Sequence, residues 1–398
     1  MALFLTRDKV LTLDQNSLLE FVARRIRESS SIDYKEAFHE SESSHQEFLK
    51  DVTAFANAYG GLLLYGVKEP PEEDGSDENL PDENRIVGIP NGNQIAKNLE
   101  RVASSSIDPR IIGLLLQPVP LADGNYVIVV YIPASLIQPH GVVNKHRRIF
   151  YIRHSESSVA MTTHEVREAV LRSATSMGQA RDYAIEEEVE ALEYIIKDRP
   201  AFLLQAMPLI TIERRWDVLN APFIEIIRNG GVVSRVSTGF FEPASNLRPT
   251  PTIKGVKNRD NRENPTWQTD VHQNGFIQYA FFDTIFANPP NERKPELSRI
   301  HTALFSSFCV FCEALWKVGQ TDVPYLFRLS YLNSATTVFS NRRHPGDIVN
   351  IPGNRKSIVW PELVRQIGEP LDEIQRTWSK TLFHAFGLNA PKVPSSGS

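Results

Sequence analysis

The chain has 398 residues, of which 41% are hydrophobic and 23% are charged, a composition typical of a soluble globular protein. This length exceeds one ordinary hydrophobic core, so we expect two or three domains. The formal net charge of −5 excludes a basic surface over the whole molecule, and any nucleic-acid site must be a local patch. No apolar run approaches the ~20 residues of a membrane span. We therefore expect no membrane contact and, because cysteine is scarce, a cytoplasmic location.

The first part of the chain predicts a mixed α/β domain. Its periodicities, caps and turns predict helices over 18–26, from Ser43–Ser44 to the double glycine Gly60–Gly61, over 95–105 and over 166–171. They predict strands over 31–35, 62–67, 85–89, 111–121, 126–132 and 148–153. The acidic and glycine-rich segment 70–84 reads as an exposed loop.

The patterns in the second part of the chain are weaker. They predict a connector helix over 183–196, strand-like pieces over 223–228 and 232–240, a basic loop over 247–264, a strand over 275–286, a buried helix over 297–318, one bent strand or two strands over 323–339, and helices over 360–367 and 371–386. The predicted organisation is an N-terminal domain over 1–176, a helical connector over 177–199, an α+β domain over 200–390 and a disordered tail over 391–398.

The two cysteines form a C-x-x-C pattern at Cys309 and Cys312, inside an apolar segment. A redox pair and half of a zinc site are two interpretations, but the chain has no second cysteine pair. On a helix this spacing is more typical of two small buried residues, and we favour that interpretation.

The stretch 55–67 organises the N-terminal domain. Gly60 and Gly61 stand where the end of a helix needs residues that tolerate positive φ, and the apolar run that follows is typical of a central strand covered on both faces. Acidic residues flank the stretch, with Glu28 and Asp33 before it and Glu69 after it.

The combination of several motifs resembles the Schlafen AlbA_2 domain. The motifs are Glu28 with Asp33, Tyr34 and Lys35, the block Ala54–Gly61, the pair Gly66–Val67, and the segments 86–89, 131–135 and 150–153. Their order and spacing fit over roughly residues 15–175. The resemblance implies a mixed sheet with flanking helices.

The resemblance also implies two functions. In Schlafen-type nucleases three acids form a metal-dependent RNA-cutting site, and the matching positions here are Glu28, Asp33 and Glu69, with Lys35 at the family's lysine. Mg²⁺ or Mn²⁺ would suit such carboxylates, and Lys35 would hold the scissile phosphate. In many bacterial proteins the same domain is described as a DNA-binding module. The alternative for the acids is that Glu28 ends a helix while Asp33 and Glu69 are solvated at loop edges.

A local basic patch could supply the nucleic-acid surface. Basic and aromatic side chains alternate along the last predicted strand and the helix after it, and the candidates are Lys145, His146, Arg147, Arg148, Phe150, Tyr151, Arg153 and Arg167. The alternative is an edge strand protected by charge.

Three hypotheses follow. The first is a metal-dependent endoribonuclease acting on tRNA-type or rRNA-type substrates, with a bacterial stress or anti-phage role expected from the family. The second is a non-catalytic regulator that binds DNA or RNA. The third is a scaffold whose C-terminal domain joins a larger assembly, as a homo-oligomer or with a partner protein.

Overall fold

The computed structural model describes residues 5–71, 82–144, 147–210, 212, 215–228, 249–259, 267–282, 304–334, 338–340, 348–350 and 356–385. Compactness divides the chain into two units, Met1–Ser176 and Met177–Ser398, which we describe separately. Helices and sheets alternate through the described parts of both units. The predicted mixed α/β class is thereby confirmed.

The N-terminal unit contains helices around short sheets. Its helices are α1 Arg7–Leu11, α2 Gln15–Val22, α3 Glu42–Ala56 and α4 Gly92–Ser106, with a 3-10 turn at Asp82–Arg85 and the start of α5 Thr163–Ala191. Its strands are β1 Ile32–Lys35, β2 Gly61–Tyr65, β3 Ile107–Asp108, β4 Leu115–Pro120, β5 Tyr126–Ile132, β6 Gly141–Asn144, β7 Arg147–His154 and β8 Ser157–Ala160.

The strand β2 lies inside a four-stranded sheet of order β1-β2-β5-β4. It pairs in parallel with β1 and antiparallel with β5. Leu62, Leu63 and Leu64 are buried, as the continuous apolar run predicted for a strand covered on both faces. A second sheet, of order β3-β6-β7-β8, faces α3, whose apolar side belongs to the same core as β2 and β5.

The turn between α3 and β2 depends on glycine. Gly60 has φ of +76°, and a Cβ atom there would lie 2.5 Å from the backbone nitrogen of Ala134. A Cβ on Gly61 would lie 2.6 Å from the carbonyl oxygen of Ser31. The double glycine thus combines a left-handed turn with close contact between backbones.

Asn57, the C-cap of α3, ties the turn between α3 and β2 to the second sheet. Its side-chain amide donates to the carbonyl oxygens of His140 at 2.9 Å and Tyr151 at 2.8 Å. Its side-chain oxygen accepts from the backbone N–H of His140 at 2.7 Å. The buried asparagine of the Ala54–Gly61 block therefore connects the end of α3 with the segments around His140 and Tyr151.

Some predicted boundaries in this unit were wrong. The N-cap of α3 is Ser41, whose Oγ accepts from the N–H of Ser44 at 3.2 Å, so the helix begins before the predicted start at Ser43–Ser44. Residues 85–89 do not form a regular strand, because they make isolated bridges at Ile86 and Ile89 around the left-handed Gly88. The predicted helices 166–171 and 183–196 overlap one 29-residue helix, α5.

The C-terminal unit is built on a large antiparallel sheet. Its further helices are α6 Ala221–Arg228, α7 Ser306–Gly319 and α8 Asp372–Ala385, with a π-helical turn at Leu192–Ile196. Its strands are β9 Ala201–Pro208, β10 Thr250–Pro251, β11 Gly255–Arg259, β12 Trp267–His272, β13 Ile277–Phe282, β14 Tyr325–Leu332, β15 Val338–Ser340, β16 Ile348–Asn350, β17 Ser357–Val359 and β18 Leu363–Arg365. The sheet order is β10-β11-β12-β13-β9-β14-β17, with β18 also paired to β14.

The two faces of this sheet differ in composition. One face packs against α6, α7 and α8 in a core rich in aromatic side chains. The other face carries a row of directly paired residues across five strands, namely Lys257, Asp270, Gln278, Gln205 and Arg328. Gln205 donates to Gln278 at 2.8 Å and accepts from Arg328 at 3.1 Å. Arg328, Gln205 and Gln278 in this row are therefore linked by hydrogen bonds, and Arg328 also pairs with Glu188 of α5.

Three predictions in this unit were wrong. Residues 221–228 form a helix instead of a strand, because Asn220 caps the backbone N–H of Phe223 and burial recurs at Phe223 and Ile227 with helical spacing. The predicted helix 360–367 contains strand β18, and the predicted basic loop contains β10 and β11. The predicted strand 232–240 and the predicted tail 391–398 lie outside the described residues.

Cys309 and Cys312 are free and buried on one side of α7, as the interpretation as small core residues predicts. Burial raises the pKa of both thiols well above its ordinary value. In the described part of the chain, no helix combines the length and the apolar character needed to cross a membrane.

Candidate functional site

The predicted acids lie around strand β1. Glu28 precedes the strand, Asp33 and Lys35 are on it, and Glu69 follows the neighbouring strand β2. Because β1 and β2 are parallel neighbours, the C-terminal ends of both strands lie at the same edge of the sheet. Residues two apart on a strand share a face, so Asp33 and Lys35 point to the same side, as predicted.

Glu28 lies in surroundings that disfavour its charged form. Its Oε1 accepts a hydrogen bond from the backbone N–H of Tyr34 at 3.1 Å. Burial, a hydrogen bond with the Asp33 side chain and the negative charges of Asp33 and Glu69 raise the pKa of Glu28 from 4.5 to about 7, against the opposing effect of the Tyr34 N–H. The charges of both other predicted acids therefore affect the pKa of Glu28.

Asp33 is buried and paired with Arg153 of β7. The Nη1 atom of Arg153 lies 3.2 Å from Asp33 Oδ2, and the two side chains are 2% and 3% exposed. The Nε of Arg153 donates to the carbonyl oxygen of Ser29 at 3.2 Å, and its guanidinium lies over the ring of Phe55. Asp33 is therefore not a solvated acid at a loop edge, because one oxygen is held in an internal ion pair.

Lys35 lies among three carboxylates. Its Nζ is 3.4 Å from Asp33, 3.7 Å from Glu47 and 3.8 Å from Asp51. Burial acts to lower the pKa of Lys35, but the three negative charges outweigh it and the pKa is raised. The ammonium is thus kept charged while it is less than one third exposed.

The sequence reading missed Asp51. This aspartate is buried on α3, where Glu47, Asp51 and Phe55 follow one another at intervals of four residues and share a face of the helix. Burial raises the pKa of Asp51, against the opposing charge of Lys35. The sequence pattern that could have identified Asp51 is an acidic residue among the apolar positions Phe48, Val52 and Phe55 of the helix.

Glu69 is exposed, and its charge contributes to the raised pKa of Glu28. Across the residues that the structure describes, no group of three or more His, Cys, Asp or Glu side chains is arranged to hold a metal ion. The predicted triad is thus a set of neighbouring acids, without the geometry of a formed metal centre.

The predicted basic patch is divided by the pleat of β7. Arg147, Tyr151 and Arg153 alternate with Arg148 along the strand, so Arg148 points to the opposite face. Arg148 is exposed and pairs with Asp108.

Arg153 differs from its predicted surface role, because its side chain is buried against Asp33 and Phe55. Arg147 and Arg167 are exposed, and Tyr151 is half-buried against the core of α3. Lys145 and His146 lie outside the described residues. Exposed positive charge within the described part of the predicted patch therefore comes from Arg147, Arg148 and Arg167.

Residues 28–162 match the family model of Schlafen, AlbA_2, which confirms the resemblance of the N-terminal unit. The match begins at Glu28 and includes the whole acid and lysine cluster, and it does not extend into the C-terminal unit. An AlbA_2 domain indicates a function related to nucleic acids.

Comparison with curated proteins finds no match. Nine chains of solved structures match. One of them, the DIP2311 protein from Corynebacterium diphtheriae, is 18% identical, with a TM-score of 0.25. The alignment covers 35% of this chain and 23% of that chain, and we draw no argument from it.

Proposed function

We propose that the N-terminal unit is a metal-dependent nuclease that hydrolyses phosphodiester bonds. The observation that supports this proposal is the effect of the Asp33 and Glu69 charges on the ionisation of Glu28, together with the charged Lys35 beside Asp33. An acid whose pKa is raised by neighbouring carboxylates gains stability from a bound cation, because the cation offsets the repulsion between the negative charges.

The donor set suits Mg²⁺ or Mn²⁺, which prefer oxygen ligands. Glu28 and Glu69 would supply carboxylate oxygens, and Asp33 would supply the oxygen that Arg153 does not hold. When bound, the cation would activate a water and offset negative charge on the phosphate. Lys35 would contribute a fixed positive charge to the scissile phosphate. Arg153 would keep the Asp33 carboxylate in one orientation.

RNA is the proposed substrate, with tRNA or rRNA as the class, and a defence or stress role for the whole protein is part of the same proposal. The C-terminal unit is proposed to sense a trigger, or to bind a partner protein or a second copy. The basis for these finer statements is the family resemblance, and the site geometry supports cleavage chemistry without distinguishing RNA from DNA.

A specific observation favours a second candidate, a non-catalytic nucleic-acid-binding regulator. Arg153 and Lys35 both contact Asp33 Oδ2, so positive side chains already neutralise the central acid of the triad. In that case the lysine and the exposed arginines would bind phosphates, and the acids would orient those cations.

The test is cleavage of tRNA, ribosomal RNA and single-stranded and double-stranded DNA in Mg²⁺, in Mn²⁺ and in EDTA. We expect cleavage that EDTA abolishes, and a loss of about 100-fold or more in Glu28→Gln and Lys35→Gln. Equal cleavage by the variants, or no cleavage under any condition, would refute the nuclease. Binding with a steep salt dependence in the absence of cleavage would instead support the regulator.

A further inference from the structure

We propose that Asp51 is a positioning residue that holds the ammonium group of Lys35 beside Asp33. The inference deepens the proposed nuclease site by adding a residue outside the predicted triad. It concerns how α3 and β1 together place the positive charge that would meet the phosphate.

The first argument is the contrast between the two acids that α3 brings to Lys35. Glu47 and Asp51 lie at nearly the same distance from Nζ, 3.7 Å and 3.8 Å. The side chain of Glu47 is 60% exposed and that of Asp51 is 5% exposed. Water and salt screen the exposed pair far more than the buried pair, so Asp51 is the stronger anchor.

The second argument is the hydrogen bonding of Asp51. Its Oδ2 atom is buried and accepts no hydrogen bond within the described structure, and the ion pair with Lys35 involves this same oxygen. The Ser158 hydroxyl also stabilises the Asp51 charge, with a smaller effect on its pKa than that of Lys35. A buried carboxylate oxygen without a donor is costly unless a cation compensates it. Lys35 is the cation that the structure places there.

The third argument is the geometry of the lysine. Lysine has a flexible four-carbon stem, and its ammonium is a point charge that several rotamers could present to solvent. Asp33, at position i−2 on β1, holds Nζ from the strand, while Asp51 holds it from the helix packed above. Two buried anchors on different elements restrict the stem to a narrow set of positions.

The experiment compares Asp51→Asn with Glu47→Gln, a matched pair because both variants remove one negative charge from α3 near Lys35. The first readout is acetylation of Lys35 in the full-length protein without nucleic acid, followed by mass spectrometry. We expect severalfold faster labelling in Asp51→Asn and a change of less than about twofold in Glu47→Gln. Equal labelling of Lys35 in Asp51→Asn and the parent protein would overturn the proposal.

The second readout is a double-mutant cycle with Lys35→Gln. We expect Asp51→Asn to lower kcat about tenfold with little change in KM, and to cause no further loss when Lys35 is already glutamine. A merely structural role would give the same loss in both backgrounds, and that additive result would refute positioning. Denaturation curves identify any variant that fails to fold.

The two readouts separate this inference from the proposed function. If Lys35 labelling responds to Asp51→Asn while the parent protein cuts no substrate, the positioning is correct and the nuclease is wrong. The affinity for nucleic acid then replaces kcat in the same cycle. If the parent cuts and labelling does not respond, the nuclease stands and the role of Asp51 is refuted.

Discussion

Glu28 illustrates how position alters the chemistry of a single side chain. A glutamate near the end of a polar segment would be expected to stay ionised at neutral pH. Here partial burial and two neighbouring acids raise its pKa to about 7, so the carboxyl is close to half-protonated at neutral pH. This property belongs to the surroundings of Glu28 and cannot be read from the residue type.

The pKa of Glu28 predicts a pH-dependent contribution to stability. Below pH 4.5 the carboxyl is protonated in the folded and unfolded states alike. Between 4.5 and about 7 the folded state binds more protons, so this group lowers the free energy of unfolding as the pH rises. In EDTA, we expect Glu28→Gln to match the parent near pH 4 and to be more stable above pH 7.

Urea denaturation at several pH values measures this difference. The control is Glu20→Gln, which changes an exposed glutamate of α2. A stability difference between Glu28→Gln and the parent that stays constant from pH 4 to pH 8 would contradict the prediction.

A comparison of Arg153 and Arg148 tests how burial changes the contribution of an ion pair to stability. Both arginines are on β7 and both pair with an aspartate, but the Arg153 pair is almost fully buried while Arg148 and Asp108 are 49% and 58% exposed. Arg153→Met leaves Asp33 buried beside the acid Glu28, with the partly exposed Lys35 still 3.4 Å away, and we expect it to cost about 3 kcal/mol in the free energy of unfolding. Arg148→Met should cost about 0–1 kcal/mol.

Denaturant midpoints of the two variants provide the comparison, provided that the slope of the transition is unchanged. Similar losses in both variants would show that burial does not set the contribution of these pairs.

At the scale of elements, the helix–turn–strand unit α3–β2 holds the site together. Its helix supplies Asp51 and the aromatic ring under Arg153, its strand pairs with β1, and Asn57 ties its turn to the second sheet. None of its apolar residues needs to contact a substrate. Their effect is to fix the distances among charged side chains from β1, α3 and β7.

A turn can require glycine for two reasons, a left-handed backbone or a lack of space for a side chain. Gly60 and Gly124 allow these two reasons to be compared. Both have φ between +70° and +90°, but a Cβ on Gly60 would overlap the backbone of residues 132–134, whereas a Cβ on Gly124 meets nothing within 4 Å. We expect Gly124→Ala to cost about 1 kcal/mol, from the left-handed backbone alone. Gly60→Ala should cost about 2 kcal/mol or more, because steric overlap adds to that strain.

Thermal unfolding of both variants checks this expectation. An equal loss of stability would show that the close approach at Gly60 relaxes without cost.

At the scale of the whole molecule, each unit has core clusters of its own among the described residues. One core cluster lies within the N-terminal unit, and the clusters on the two faces of the large sheet lie within the C-terminal unit. We therefore expect two thermal transitions, with Gly60→Ala lowering one and Arg328→Met lowering the other. Arg328→Met removes a buried partner of Glu188, while the exposed pair of Arg181 and Glu362 offers Arg181→Met as a mild control.

Differential scanning calorimetry resolves the transitions. A single transition that both substitutions lower equally would contradict separate cores.

Much of the N-terminal unit could be predicted from local sequence. The apolar run after Gly60–Gly61 predicted β2, the patterns over 111–121 and 126–132 predicted β4 and β5, and the order of short motifs predicted the family match of the N-terminal unit. These signals are local, because strand burial, turn chemistry and caps depend on near neighbours in the chain. Local patterns failed at residues 221–228 and 360–367, where short apolar runs fit a helix and a strand equally well.

By itself, the sequence determined the class of the fold, the residue types of the candidate site and their order along the chain. The tertiary structure decided that Arg153 turns inward to Asp33, that Asp51 joins Lys35, and that the predicted basic strand is split between two faces. The physical reason is that charge pairing and burial depend on distances between segments up to 120 residues apart. Those distances are set by the packing of α3 between the sheets, which no local pattern encodes.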